Sequence, residues 1–163
     1  MRILIISLPR TGSTSLLHKI SKEREFRAIF EPFDGSDRFL YDDDMNNVVV
    51  KTIIHQHENN FELSKKFDDV ILLNRKNFKN HLESYSYLYH NIRNGYHSGT
   101  PYEYVAPPVE TIDKSRELLI KMGQDLQELS DKLKIPIQYY EDLFDENSSE
   151  RLRTDIMNKK KLI

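Results

Sequence analysis

A short apolar run that breaks at a proline and passes into a polar turn sets the architecture of this chain at its outset. Arg2-Ile3-Leu4-Ile5-Ile6-Ser7 is β-branched and apolar and ends at Leu8-Pro9, the pattern of a strand buried on both faces. Arg10-Thr11-Gly12-Ser13-Thr14-Ser15 follows at once, and Leu16, Leu17 and Ile20 then fall at helical spacing. The order is strand, glycine-containing turn, helix. Such a turn aims several free backbone N–H groups at one point, and the helix dipole adds partial positive charge there, so the segment predicts an anion site.

The rest of the chain repeats the alternation. Further strands are expected at Ala28-Ile29-Phe30, Val48 to Ile54, Asp69 to Asn74 and Ile135 to Tyr139, each with a polar residue at its C-terminal end. Between them, Phe78, Leu82, Tyr85, Leu88, Tyr89 and Ile92 recur at helical spacing, as do Ile112, Leu119, Met122, Leu126, Leu129 and Leu133. Alternating β and α elements predict an α/β fold with a mostly parallel sheet, whose ligands sit beyond the C-terminal strand ends. No repeat, low-complexity tract or linker divides the 163 residues, so a single domain over residues 1–163 is expected. Two irregular stretches, Asp34 to Asn47 and Asn94 to Pro108, read as long loops, and Lys159-Lys160-Lys161 as a solvated end.

Composition narrows the function classes. With 24 Lys+Arg against 26 Asp+Glu, the net charge of −2 carries no basic excess for binding nucleic acid or an anionic membrane by bulk electrostatics. A charged substrate must be held by a local cluster. The absence of cysteine excludes disulfides, a thiolate nucleophile and Cys-ligated metal sites. The longest apolar run, Ile3 to Ile6, is too short for a membrane span or a signal peptide, so a soluble cytoplasmic protein without membrane insertion is expected.

The anion at the first turn can be tested on the residues. A nucleotide-hydrolysing P-loop requires Gly-x-x-x-x-Gly-Lys-Ser/Thr, whereas Ser7 stands five before Gly12 and Ser13 follows it. Both the first glycine and the lysine are missing, which disfavours a small-molecule kinase. Pro9-Arg10-Thr11-Gly12-Ser13-Thr14-Ser15-Leu16 instead closely resembles the loop with which sulfotransferases bind the 5′-phosphosulfate of 3′-phosphoadenosine 5′-phosphosulfate (PAPS). The match is best to the carbohydrate, nodulation-type and tyrosylprotein branches. Asp69 to Asn77, followed by Ser84, resembles the family's 3′-phosphate motif, a strand ending in Arg75 with a serine on the next helix. The cytosolic branch places that serine one residue earlier, where this chain has Glu83; Ser84 is therefore the expected partner, with Ser86 as a weaker substitute. Tyr139-Tyr140-Glu141-Asp142-Leu143 and Phe30-Glu31-Pro32-Phe33 are similar to two further family segments, with Phe30 replacing a glycine. Two departures stand out. Lys51-Thr52-Ile53 lacks the histidine base of the cytosolic Lys-Thr-His, and the glycine-containing basic loop that closes over adenosine in that branch is not found, which implies nucleotide binding that is weaker or more open, or that needs another chain.

The resemblance implies a three-layer P-loop-like α/β fold with about five strands, and a sulfotransferase that moves a sulfonate from PAPS to a hydroxyl or amine of an unidentified acceptor, such as a carbohydrate or other hydroxyl compound. The bound partners would be PAPS and 3′,5′-adenosine bisphosphate, with no metal and no nucleic acid. The runner-up is a nucleotide- or phosphate-binding module of the same ancestry with little catalysis. Implied cofactor-binding residues are Arg10, Thr11, Gly12, Ser13, Thr14, Ser15, Arg75 and Ser84; implied catalytic residues are Arg10, Lys51, Glu31 and His55. Glu31 is the favoured base, since a strand-end carboxylate in a partly dry pocket can be tuned to accept a proton, and His55 is its rival. Plainer readings stand beside these: an exposed turn arginine for Arg10, a strand-edge lysine for Lys51, a surface residue before a proline for Glu31, and an ion pair with Glu83 or Asp69 for Arg75. Tyr85 and Tyr89 share a helix face and read as core, and His55 and His57 stand two apart with no evident third metal ligand.

Overall fold

The computed structural model describes residues 1–34, 41–93 and 106–144, with the backbone alone for 91–93. Residues 35–40 of the loop expected between Asp34 and Asn47, residues 94–105 of that between Asn94 and Pro108, and the Lys159–Lys161 tail lie outside the described residues. Among the described residues, five strands form one sheet: β1 (Arg2–Ser7), β2 (Arg27–Phe30), β3 (Val48–Ile53), β4 (Asp69–Asn74) and β5 (Ile137–Tyr139). The helices are α1 (Ser13–Arg24), α2 (Asn60–Ser64), α3 (Phe78–Arg93), α4 (Val109–Leu133) and α5 (Tyr140–Leu143). The α/β reading holds, and the strand boundaries agree to within two residues. The last strand begins at Ile137 and not Ile135, because Ile135 still belongs to the close of α4, where its N–H and C=O bond to Ser130. The two short helices α2 and α5, of 5 and 4 residues, carry too few residues to show a periodic pattern in the sequence.

The strand order is β2-β3-β1-β4-β5, and every pairing is parallel. β1 lies at the centre, which is why its run is apolar without alternation. Leu4 and Ile6 join Val48, Val50 and Leu72 in a core covered by Leu63 of α2, Leu82 and Tyr85 of α3, and Leu119, Met122, Leu126 and Leu129 of α4. Ile3 and Ile5 point the other way, with Val49, Leu73 and Phe144, against Leu16 and Leu17 of α1. Helices thus cover both faces of the sheet. From β1 the chain runs first to one side (β2, β3) and then to the other (β4, β5), so the crossovers diverge beyond the C-terminal end of β1. That divergence opens a crevice at the strand ends.

Candidate functional site

A cleft of about 560 Å³ occupies this crevice, and all five strand ends contribute to it. The β1–α1 turn brings Pro9, Arg10 and Gly12 to Ser15; β2 brings Glu31; β3 brings Lys51, Ile53, His55 and Gln56; β4 brings Arg75; and β5 leads into Tyr140. Tyr85, Leu88 and Tyr89 of α3 form an apolar wall. Of the residues expected in the site, only Thr11 and Ser84 do not line the cleft.

The turn is shaped by two left-handed residues, Arg10 (φ 62°) and Gly12 (φ 78°), on either side of Thr11. Alternation of this kind curls successive N–H groups toward one side and makes an anion-sized concavity. Gly12 is the N-cap of α1, so the first N–H groups of the helix have no carbonyl partner within it. A side chain at Gly12 is excluded twice over, by its φ and by the Tyr140 ring, whose carbons would lie 2.2–2.3 Å from an added Cβ. Thr11 faces inward, completely buried, and its hydroxyl donates to the Leu8 carbonyl at 2.9 Å. Its side chain braces the turn, leaving only its backbone for a ligand.

Behind the turn lies His81 of α3, a residue the sequence did not single out. It is almost wholly buried, and its Nε2–H donates to the Pro9 carbonyl at 2.7 Å. Burial pushes its pKa below the ordinary histidine value; the Pro9 bond and Glu141 oppose that, while the nearby Arg75 and Arg10 add to it. One helical turn further, the Ser84 hydroxyl accepts a bond from Arg10 Nε at 3.0 Å. Ser84 was expected to share the 3′-phosphate with Arg75; its hydroxyl is engaged with Arg10, and among the described residues no hydrogen bond joins it to Arg75. It stands six residues, about 9 Å, along α3 from Phe78, which carries it from the Arg75 end to the turn. Ser86, the weaker substitute, is buried and bonded to the Leu82 carbonyl within its own helix.

Lys51 is not a strand-edge lysine, since β3 is interior and Lys51 is buried. Its ammonium is paired with the Glu31 carboxylate and stands 3.4 Å from the Thr14 hydroxyl. The register explains the pairing: Phe30 lies opposite Lys51, and the Glu31 N–H donates to the Lys51 carbonyl at 2.7 Å. The second Glu31 oxygen accepts from Gln56 Nε2 at 2.8 Å, while Gln56 Oε1 takes the Ile53 N–H at 2.8 Å. Glu31 itself adopts φ 41°, uncommon for a residue with a side chain. The carboxylate therefore meets a cation and an amide donor, where partly dry surroundings were expected. His55 is exposed on the turn after β3 and lines the cleft. His57 has its Nδ1 occupied by the Asn59 N–H at 3.1 Å and packs against Phe33. Among the described residues, no group of three or more His, Asp or Glu side chains gathers where it could hold a metal ion.

Arg75 makes no ion pair among the described residues, to Glu83 and Asp69 or any other. Its guanidinium lies over the Tyr140 ring, 5.5 Å from the centroid. The neighbouring Glu141 carboxylate accepts the Lys76 and Asn77 N–H groups at 2.9 and 3.2 Å, at the start of α3. Partial burial opposes its ionisation, yet those amides and Arg75 hold its carboxyl below the usual value. Tyr85 belongs to the core as expected and also to the cleft wall, where burial raises its phenol pKa. Gln56 and His81 fall in no motif, so only the fold reveals them, whereas Tyr140 belongs to the Tyr-Glu-Asp-Leu segment already noted.

Among the described residues no helix is long and apolar enough to cross a membrane. No protein-family model and no curated protein matches the chain.

Proposed function

We propose that this cleft is the site of a sulfotransferase with a P-loop-like fold, which binds PAPS and passes its sulfonate to a hydroxyl or amine of an acceptor. The observation that carries the reading is the convergence of Arg10, Lys51 and Arg75, from three different strand ends, around the concave turn at Gly12. Three cations and a cradle of backbone N–H groups suit a polyanion with phosphate groups at two ends. The chain segments that resemble the sulfotransferase motifs are the ones that meet there.

When bound, PAPS supplies an activated sulfonate on a phosphate leaving group. In this reading Arg10 and the amides of Thr11 to Thr14 hold the 5′-phosphate and stabilise the charge left on it, with the Ser13, Thr14 and Ser15 hydroxyls beside them. Arg75 holds the 3′-phosphate. Lys51, between Thr14 and Glu31, neutralises the sulfonate oxygens, and Glu31 takes the acceptor proton once Lys51 turns from it to the ligand. His55, exposed on the same rim, is the alternative base. Charge stabilisation and positioning thus do most of the work, as in phosphoryl transfer.

A second reading, a nucleotide- or phosphate-binding module with little catalysis, draws on one observation. Both oxygens of Glu31 are engaged, by Lys51 and Gln56, and protonating this carboxylate would remove the charge that pairs with the buried Lys51. Titration with 3′,5′-adenosine bisphosphate tests both readings, and failure to bind it, or a preference for ATP with magnesium, sinks both. Transfer of labelled sulfonate from PAPS across an acceptor panel separates enzyme from module. Glu31→Gln should then keep binding and abolish product; retained turnover assigns the base to His55.

A further inference from the structure

We infer that His81 is a positioning residue for the anion-binding turn, holding the Pro9 carbonyl so that the amides of Thr11 to Ser15 converge on one ligand oxyanion. The inference rests on the anion-binding reading above. Pro9 immediately precedes the left-handed Arg10, so the orientation of its carbonyl fixes where the curl of N–H groups begins. A carbonyl there can only accept, and the partner it has is the Nε2–H of His81, 2.7 Å away and drawn from a helix 72 residues on in sequence. Ser84, one turn along the same face of α3, holds Arg10 Nε in parallel. The Pro9 carbonyl and the Arg10 side chain are thereby both tied to α3.

Two ligands and two ligand-free measurements test this. His81→Leu should weaken 3′,5′-adenosine bisphosphate by about tenfold or more, the scale of one lost buried hydrogen bond, while His81→Gln, which keeps a donor, should stay close to the wild type. Adenosine 3′-monophosphate, which needs Arg75 but not the turn, should bind the wild type and the leucine variant alike. Equal losses for both ligands, or an unaffected leucine variant, would overturn the assignment, because a merely structural histidine gives no such selectivity. In the ligand-free protein, the amide resonances of Thr11 to Ser15 should move in His81→Leu and return in His81→Gln. If wild type binds no bisphosphate yet these resonances respond so, the nucleotide reading fails and the positioning role stands; unresponsive resonances remove the role itself. Should the leucine variant not fold, the imidazole spectrum of the unmodified protein decides: a protected Nε2–H on a neutral ring supports the bond, and an unprotected or Nδ1-protonated ring refutes it.

Discussion

The turn after β1 and the turn after β3 face the same cleft, yet they are held in opposite ways. The first is fixed from behind by neutral, buried bonds, Thr11 to Leu8 and His81 to Pro9, with its N–H groups directed outward. The second closes charged groups on one another, with Lys51, Glu31 and Gln56 linked in a chain. One surface is ready for an anion before the anion arrives; the other must exchange partners to meet it. Preorganised donors stabilise charge without rearrangement, whereas a paired cation is released only when a ligand outcompetes its partner.

Substitutions on the two turns should therefore differ in size and in kind. The largest effect belongs to Gly12→Ala, which forces a side chain into a left-handed conformation and against Tyr140; stability should fall by about 2 kcal/mol or more, with bisphosphate binding lost. Thermal denaturation and calorimetry check both parts, and a mild phenotype would remove the distinction between the two turns. Lys51→Met should cost about 2 kcal/mol, less than for a fully enclosed pair because the Glu31 side chain is 31% exposed. Adding Glu31→Gln should recover much of that loss in a double-mutant cycle; strict additivity would mean that the pair is not coupled. Arg75→Ala should weaken the bisphosphate by about 2 kcal/mol while leaving the melting temperature nearly unchanged, since its main contact is the ring of Tyr140.

The smallest effect is a pH dependence. His81 has a depressed pKa in the folded protein, so below its unfolded value of about 6.5 the unfolded chain binds more protons and stability falls as pH drops. The charged groups that bear on it are Arg75, Arg10 and Glu141. Unfolding free energies between pH 7 and 5 should show this decline in the wild type and lose part of it in His81→Gln. An unchanged profile would mean that the bracing histidine titrates freely, and that the first turn is less rigidly held than the second.

Much of this architecture was legible in the residues. β1, its turn and α1 follow from a buried apolar run, a glycine and helical spacing, and the polar strand ends correctly marked the cleft. What escaped the sequence depends on rotation and register. Whether Ser84 meets Arg75 or Arg10 is decided by how far along α3 it sits relative to a turn some 70 residues earlier. The Glu31–Lys51 pair follows from the β2–β3 register, which two short strands do not announce. His81 and Gln56 belong to no motif in the sequence, and their roles appear only when α3 and the turn after β3 are brought against the β1–α1 turn and Glu31. Tyr85 and Tyr89 were read as core; Tyr85 is, and Tyr89 packs half-buried against it, but a helix at a crevice shows one side of its apolar stripe to the ligand.

The short final strand carries a consequence for motion. Tyr140, which covers Gly12 and supports Arg75, is attached to the sheet through β5, which among the described residues is an edge strand with β4 as its one neighbour, paired at three positions. Edge segments with few backbone bonds are the first to detach in local opening, at a free energy well below that of global unfolding. Amide exchange at β5 should accordingly outpace exchange at β1, and each excursion would uncover the turn and free the guanidinium at the same moment. The access rate of a ligand to this cleft is thus tied to the breathing of its outermost strand.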